Sequence, residues 1–148
     1  MIMHSAPFAA LDVFTLYAVL RLRSDVFVVE QQCVYPDLDG RDTEPETVHV
    51  WLTDPAGSVT AYLRVLTEPD GTARIGRVVT DPAHRGQGLA ARLLAEAVAV
   101  IGPRAASLHA QTTAVRVYER VGFAVSGPVF LDDGIEHVPM HRPASSCP

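Results

Sequence analysis

Two cysteines in 148 residues are too few for a disulfide framework, and Cys33 and Cys147 lie far apart in the chain. With Cys147 in the tail Pro143-Ala144-Ser145-Ser146, no structural bridge is expected. Long apolar runs are also missing: none approaches the roughly 20 residues that cross a bilayer, and Met1 to Ala10 lacks the charged start and apolar run of a secretory leader. A cytoplasmic protein without a membrane partner is predicted. Runs of basic residues are absent and the formal net charge is −5, which leaves no electrostatic footprint for nucleic acid. The six histidines follow neither His-Glu-x-x-His nor any cysteine pairing, so no metal site is expected. No internal repeat divides the chain.

What remains is a chain with 48% hydrophobic side chains, enough for one compact core. Residues 1–148 therefore read as a single domain with 143–148 as a flexible tail, and monomer and homodimer are both open. Asp12 is placed to cap a helix running to about Val28, with Phe14, Tyr17, Leu20, Val26 and Phe27 at helical spacing. Glu30 to Glu46 holds Pro36, Gly40, Pro45 and six acidic residues, which predicts a long irregular loop.

Val48 to Thr53, Val59 to Leu66 and Ala73 to Thr80 are rich in β-branched and aromatic residues, and Asp54-Pro55-Ala56-Gly57 and Pro69-Asp70-Gly71 separate them. An antiparallel meander is expected. Leu89, Ala90, Leu93, Leu94, Ala97, Val98 and Ile101 then fall on one stripe, stopped by Gly102-Pro103. A strand at Ala106 to Ala110, a helix at Thr113 to Val121 and two strands around Asp132-Asp133-Gly134 complete the order.

Between the third strand and the long helix lies Arg77-Val78-Val79-Thr80-Asp81-Pro82-Ala83-His84-Arg85-Gly86-Gln87-Gly88-Leu89-Ala90. Two close glycines let backbone approach a ligand, while a helix start offers unpaired N–H groups and the positive end of its dipole. Together with Arg85 they suit a pyrophosphate; a plain tight turn explains the glycines equally well. A P-loop would need Gly-Lys-Ser/Thr, which is absent.

Val-Val-Thr-Asp-Pro-x-x-Arg-x-x-Gly-x-Ala resembles the acyl-CoA signature of the GNAT superfamily, and Gln111-x-x-Ala114-x-x-x-Tyr118-x-x-x-Gly122-Phe123 resembles its second motif, with Gln111 in place of the usual Asn. The resemblance implies an α/β (α+β) fold, with a mixed, mostly antiparallel sheet splayed at its centre and flanked by helices. It also implies acetyl-CoA as co-substrate, held by backbone of Val78, Val79 and Thr80 and by the amides of Arg85, Gly86, Gln87, Gly88, Leu89 and Ala90, with Gln111 also at the cofactor. Tyr118 becomes the acid that protonates the departing thiolate and also borders the cofactor. Arg23-x-x-Val26-Phe27-Val28-Val29-Glu30-Gln31, with Tyr35, Asp37, Asp39, Gly40 and Asp42, is similar to the ElaA-type branch of the superfamily.

The reaction so implied is N-acetyl transfer to an amine by direct attack in a ternary complex. A catalytically silent acyl-CoA sensor and an acyl-homoserine-lactone-synthase-like enzyme stay open beside it. An amine protonated at neutral pH must lose a proton before attack. Glu30, Asp37, Asp39 and His137 are candidates to receive it. Glu30, after an apolar helix end, is expected to be partly buried with a raised pKa, or else paired with Arg23 or Arg64. The acidic loop Asp37, Asp39, Asp42, Glu44 and Glu46 either attracts a cationic amine or is a solvated charge run. Cys33 reads as structural.

Overall fold

This computed structural model describes residues 1–145, so Cys147 and the last part of the predicted tail lie outside the described residues. Strands β1 (Ile2–Pro7), β2 (Val48–Thr53), β3 (Val59–Thr67), β4 (Ala73–Thr80), β5 (Ala106–Gln111), β6 (Ala124–Val125), β7 (Phe130–Asp132) and β8 (Ile135–Arg142) form one sheet. Their order is β1-β2-β3-β4-β5-β8-β6, with β7 on β8, and every pairing is antiparallel except β4 with β5. Helices α1 (Val13–Arg23), α2 (Leu89–Ile101) and α3 (Val115–Glu119) flank it.

Alternation along the central strands decides which helix covers which face. Val50 and Leu52 of β2 and Leu63 and Val65 of β3 point into a cluster with Leu93, Leu94 and Ala97 of α2. Trp51 and Tyr62 point the other way, to Val19, Leu22, Val26 and Phe27. With both faces covered, β2 and β3 are buried along almost their whole length.

Asp12 does cap α1, accepting the Thr15 N–H at 2.7 Å. The helix continues past the predicted Val28 as a π-helical segment, Ser24–Glu30. Its buried face differs from the expected stripe. Phe14 and Tyr17 are exposed, whereas Val19, Leu22 and Arg23 are buried. Apolar residues surround α1, so spacing alone could not select the face that meets the sheet. β1 and β6 were not predicted either: β1 is an edge strand with a mixed sequence whose identity depends on pairing with β2, and β6 is two residues long.

The loop after Glu30 is irregular as expected, apart from one turn at Arg41–Thr43. Its acidic residues, however, are not a solvated run. Arg23, fully buried, donates from Nε to Asp37 at 3.1 Å and from Nη1 to Asp42 at 2.8 Å. Arg64 reaches Asp39 at 2.6 Å and Asp42 at 3.0 Å, and Arg77 pairs with Asp37 at 2.8 Å. Burial works against ionised Asp39 and Asp42, but the guanidinium hydrogen bonds more than offset it and hold both below the usual carboxylate range. His49 joins the cluster: its Nε2–H donates to the Asp42 carbonyl at 2.9 Å, leaving Nδ1 to accept from the Tyr62 hydroxyl at 2.6 Å. The expectation that Asp37, Asp39 and Asp42 attract a cationic amine is therefore corrected. Their charges are spent on three arginines, and the loop is fastened under α1.

Candidate active site

The sheet opens where its one parallel pair begins. β4 and β5 are in register only at Ala73 with Ala106 and Arg74 with Ser107. Beyond those residues the β5-facing edge of β4 has no strand partner among the described residues. The opposite edge explains the divergence. Tyr62 pairs with Val79 and Arg64 with Gly76, so Arg77 and Val78 together face Leu63 and form a bulge in β4. A bulge bends and twists the strand that carries it. Arg77 sits there at φ +55°, a left-handed conformation that is costly for a side chain with a Cβ. Its pairing with Asp37 and its stacking over the Tyr35 ring, 5.1 Å from the centroid, hold it in place.

A cavity of about 680 Å³ occupies the opening. Val78, Val79 and Thr80 of β4, Arg85, Ala90, Gln111, Tyr118, Glu30 and His137 all line it. Residues from five separate stretches of the sequence thus meet in one place. Gly86, Gln87 and Gly88 stay exposed on the adjoining loop, and the Leu89 side chain is buried in the core, so these four do not line the cavity. Gly86 and Gly88 have φ of +79° and +74°, and a Cβ at either would meet nothing within 4 Å. Backbone conformation, not crowding, is what demands glycine there. Gly88 caps α2 with no side-chain hydrogen bond, and no acidic residue occupies the first turn. The helix start therefore keeps its N–H donors open, the requirement for an anion site.

Tyr118 lies across the opening, only 7% exposed. Its hydroxyl makes no hydrogen bond among the described residues, and burial pushes its pKa up to about 12. α3 positions it: the turn closes through the Phe123 N–H on the Tyr118 carbonyl at 3.2 Å, with Gly122 at φ +96° as the left-handed C-terminal residue. His137 is half-buried on β8 and stacks against Phe130. Its Nδ1–H donates to the Ile135 carbonyl at 2.8 Å, so in the neutral ring Nε2 carries the lone pair.

Glu30 departs from expectation. It is exposed, not partly buried, and its partner is neither Arg23 nor Arg64 but Arg85, at 2.5 and 3.1 Å. The hydrogen bonds from Arg85 lower its pKa, the opposite of the predicted direction. The π-helical segment carries Glu30 out of the apolar helix face toward the loop before α2.

The sequence reading missed other residues of the cavity. Arg77, Tyr35 and Cys33 reach it because the bulge and the fastened loop bring them there, and His109 and Asp132 approach from β5 and β7. The Gly76-Arg77 pair was visible, but a bulge involving a non-glycine residue leaves no local signature. Cys33 is buried, which raises its pKa and suits the structural role expected of it. Among the described residues no group of three or more His, Cys, Asp or Glu side chains could hold a metal ion.

Residues 25–143 match the family model described as acetyltransferase (GNAT) domain. A UPF0039 protein of Mycobacterium tuberculosis is 49% identical over 138 residues, covering 91% of this chain and 88% of the relative. The crystal structure of Escherichia coli ElaA superposes with a TM-score of 0.89 at 31% identity, covering 95% of this chain and 98% of that one. An acyl-CoA N-acyltransferase from Pseudomonas aeruginosa gives a TM-score of 0.86 at 38% identity, with 95% and 98% covered. By sequence match and by a sheet that parts between β4 and β5, the chain belongs to the GNAT acetyltransferase family, with ElaA among its relatives.

Proposed function

We propose that the protein moves an acetyl group from acetyl-CoA to a primary amine by direct attack within a ternary complex. The observation that carries this reading is the opening between β4 and β5, which has an uncapped helix start at one side and the unpartnered Tyr118 hydroxyl at the other. A strand edge without a partner suits the amide groups of a pantetheine arm, which would pair with Val78 to Thr80 as a missing strand would. The amides from Arg85 to Ala90 suit a pyrophosphate. The P. aeruginosa neighbour, described as an acyl-CoA N-acyltransferase, supports the same donor.

Tyr118 remains protonated at neutral pH and can give its proton to the departing sulfur. Burial raises the phenol pKa, but it disfavours a free thiolate in the same cavity as well, so the transfer stays balanced. At the acceptor end His137 offers Nε2 to take the proton of the amine, directly or through water. Glu30, while paired with Arg85, is the weaker base, and its role is to order water or the amine.

Calorimetry with acetyl-CoA, followed by an amine panel scored by free thiol release, tests the proposal. Binding plus thiol release with at least one primary amine is expected. No binding of acetyl-CoA would remove the donor assignment, and binding without release to any amine would leave an acyl-CoA sensor in its place.

A further inference from the structure

Glu30 and Arg85 are 55 residues apart in sequence and join two elements that line the cavity, the end of the π-helical segment and the loop before α2. Both Nη atoms of Arg85 are committed to the two Glu30 oxygens, at 3.1 and 2.5 Å. Neither side chain has another ion-pair partner among the described residues, and at 45% and 41% exposure the pair is open to solvent. A guanidinium binds a carboxylate or a phosphate through the same paired Nη donors, so a phosphate that takes up this fork displaces the Glu30 carboxylate from it.

We propose that Glu30 is a positioning residue that occupies Arg85 until a diphosphate displaces it, and that donor binding thereby frees a carboxylate on the wall of the cavity. The inference rests on the reading of the 85–90 loop as the diphosphate site and goes beyond it by linking the two substrates. A solvent-screened pair is easily exchanged. Linkage is reciprocal: whatever opens the pair favours the diphosphate, and a bound diphosphate makes Glu30 available to a cationic amine.

Glu30→Gln keeps the size of the side chain and removes its charge. Calorimetry should show CoA binding to this variant about two- to fivefold more tightly than to the wild type, as expected for loss of a competing exposed ion pair. Pantetheine, which lacks phosphates, should bind both equally. In an Arg85→Ala background, Glu30→Gln should leave CoA affinity unchanged. In turnover, KM for acetyl-CoA should fall while KM for the amine rises, a split that a merely structural role would not produce. Unchanged or weaker CoA binding by a folded Glu30→Gln variant, or the same tightening without Arg85, would overturn the inference while leaving the donor assignment standing. Failure of both wild type and variant to bind CoA would overturn both.

Discussion

The loop before α2 and the arginine cluster under α1 use charge in opposite ways. In the cluster, Arg23, Arg64 and Arg77 are matched in charge by Asp37, Asp39 and Asp42, largely out of water. At the loop, positive potential comes from backbone N–H groups and one arginine whose carboxylate partner is open to solvent. Charges satisfied within the fold position the chain. Charges left open or weakly paired are the ones a ligand can use.

Removing one member of the buried cluster should break this contrast most visibly. Arg23→Ala leaves Asp37 and Asp42 short of a buried partner and is expected to cost about 3–5 kcal/mol in urea unfolding. A loss under 1 kcal/mol would mean the cluster is far wetter than its burial implies. On the ligand side, Tyr118→Phe removes only an unpartnered hydroxyl. Turnover should fall about a hundredfold with CoA affinity and melting temperature nearly unchanged. Unaltered turnover would take the acid role away from Tyr118.

Gly88→Ala forces a Cβ into φ +74° and should cost about 1–2 kcal/mol of stability together with weaker CoA binding. Gly57→Ala, at φ +87° in the β2–β3 turn, should cost a similar amount and leave CoA binding alone. Equal effects of both on CoA would separate the loop from the ligand.

The smallest effect expected is on pH dependence. Burial lowers the pKa of His49 below its ordinary 6.5, so the unfolded chain binds the extra proton more readily. The stability it contributes is present above about 6.5 and is lost as pH falls below that value. Asp39 and Asp42, depressed by their arginines, add a second loss as pH falls below the ordinary carboxylate range. Urea midpoints from pH 7 to 5 should decline in the wild type and decline less in His49→Gln; equal slopes would exclude His49 as the source.

The cavity was legible in part. Val78 to Thr80, Arg85, Ala90, Gln111 and Tyr118 were found because two local motifs resemble the GNAT signature; the glycine turn and the short helix closed by Gly122 would not by themselves have singled them out. Glu30 was found as a residue but not in its state, since its exposure and its partner depend on where a π-helical segment ends in space. The acidic loop was misread for the same reason. Asp37, Asp39 and Asp42 look alike as a solvated run and as ion-pair partners until Arg64 and Arg77 arrive from strands 22 or more residues away.

By itself the sequence determined the strand meander, α2 with its stripe of Leu93, Leu94, Ala97 and Ile101, and the glycine turn before that helix. Those features follow from spacing and from backbone conformations that only some residues adopt. The tertiary structure decided which face of α1 is buried, where β4 bulges at Arg77, which arginine each carboxylate meets, and that Tyr118, His137 and Glu30 border one cavity. Packing and ion pairing act between residues far apart in the chain, and no local pattern records that choice.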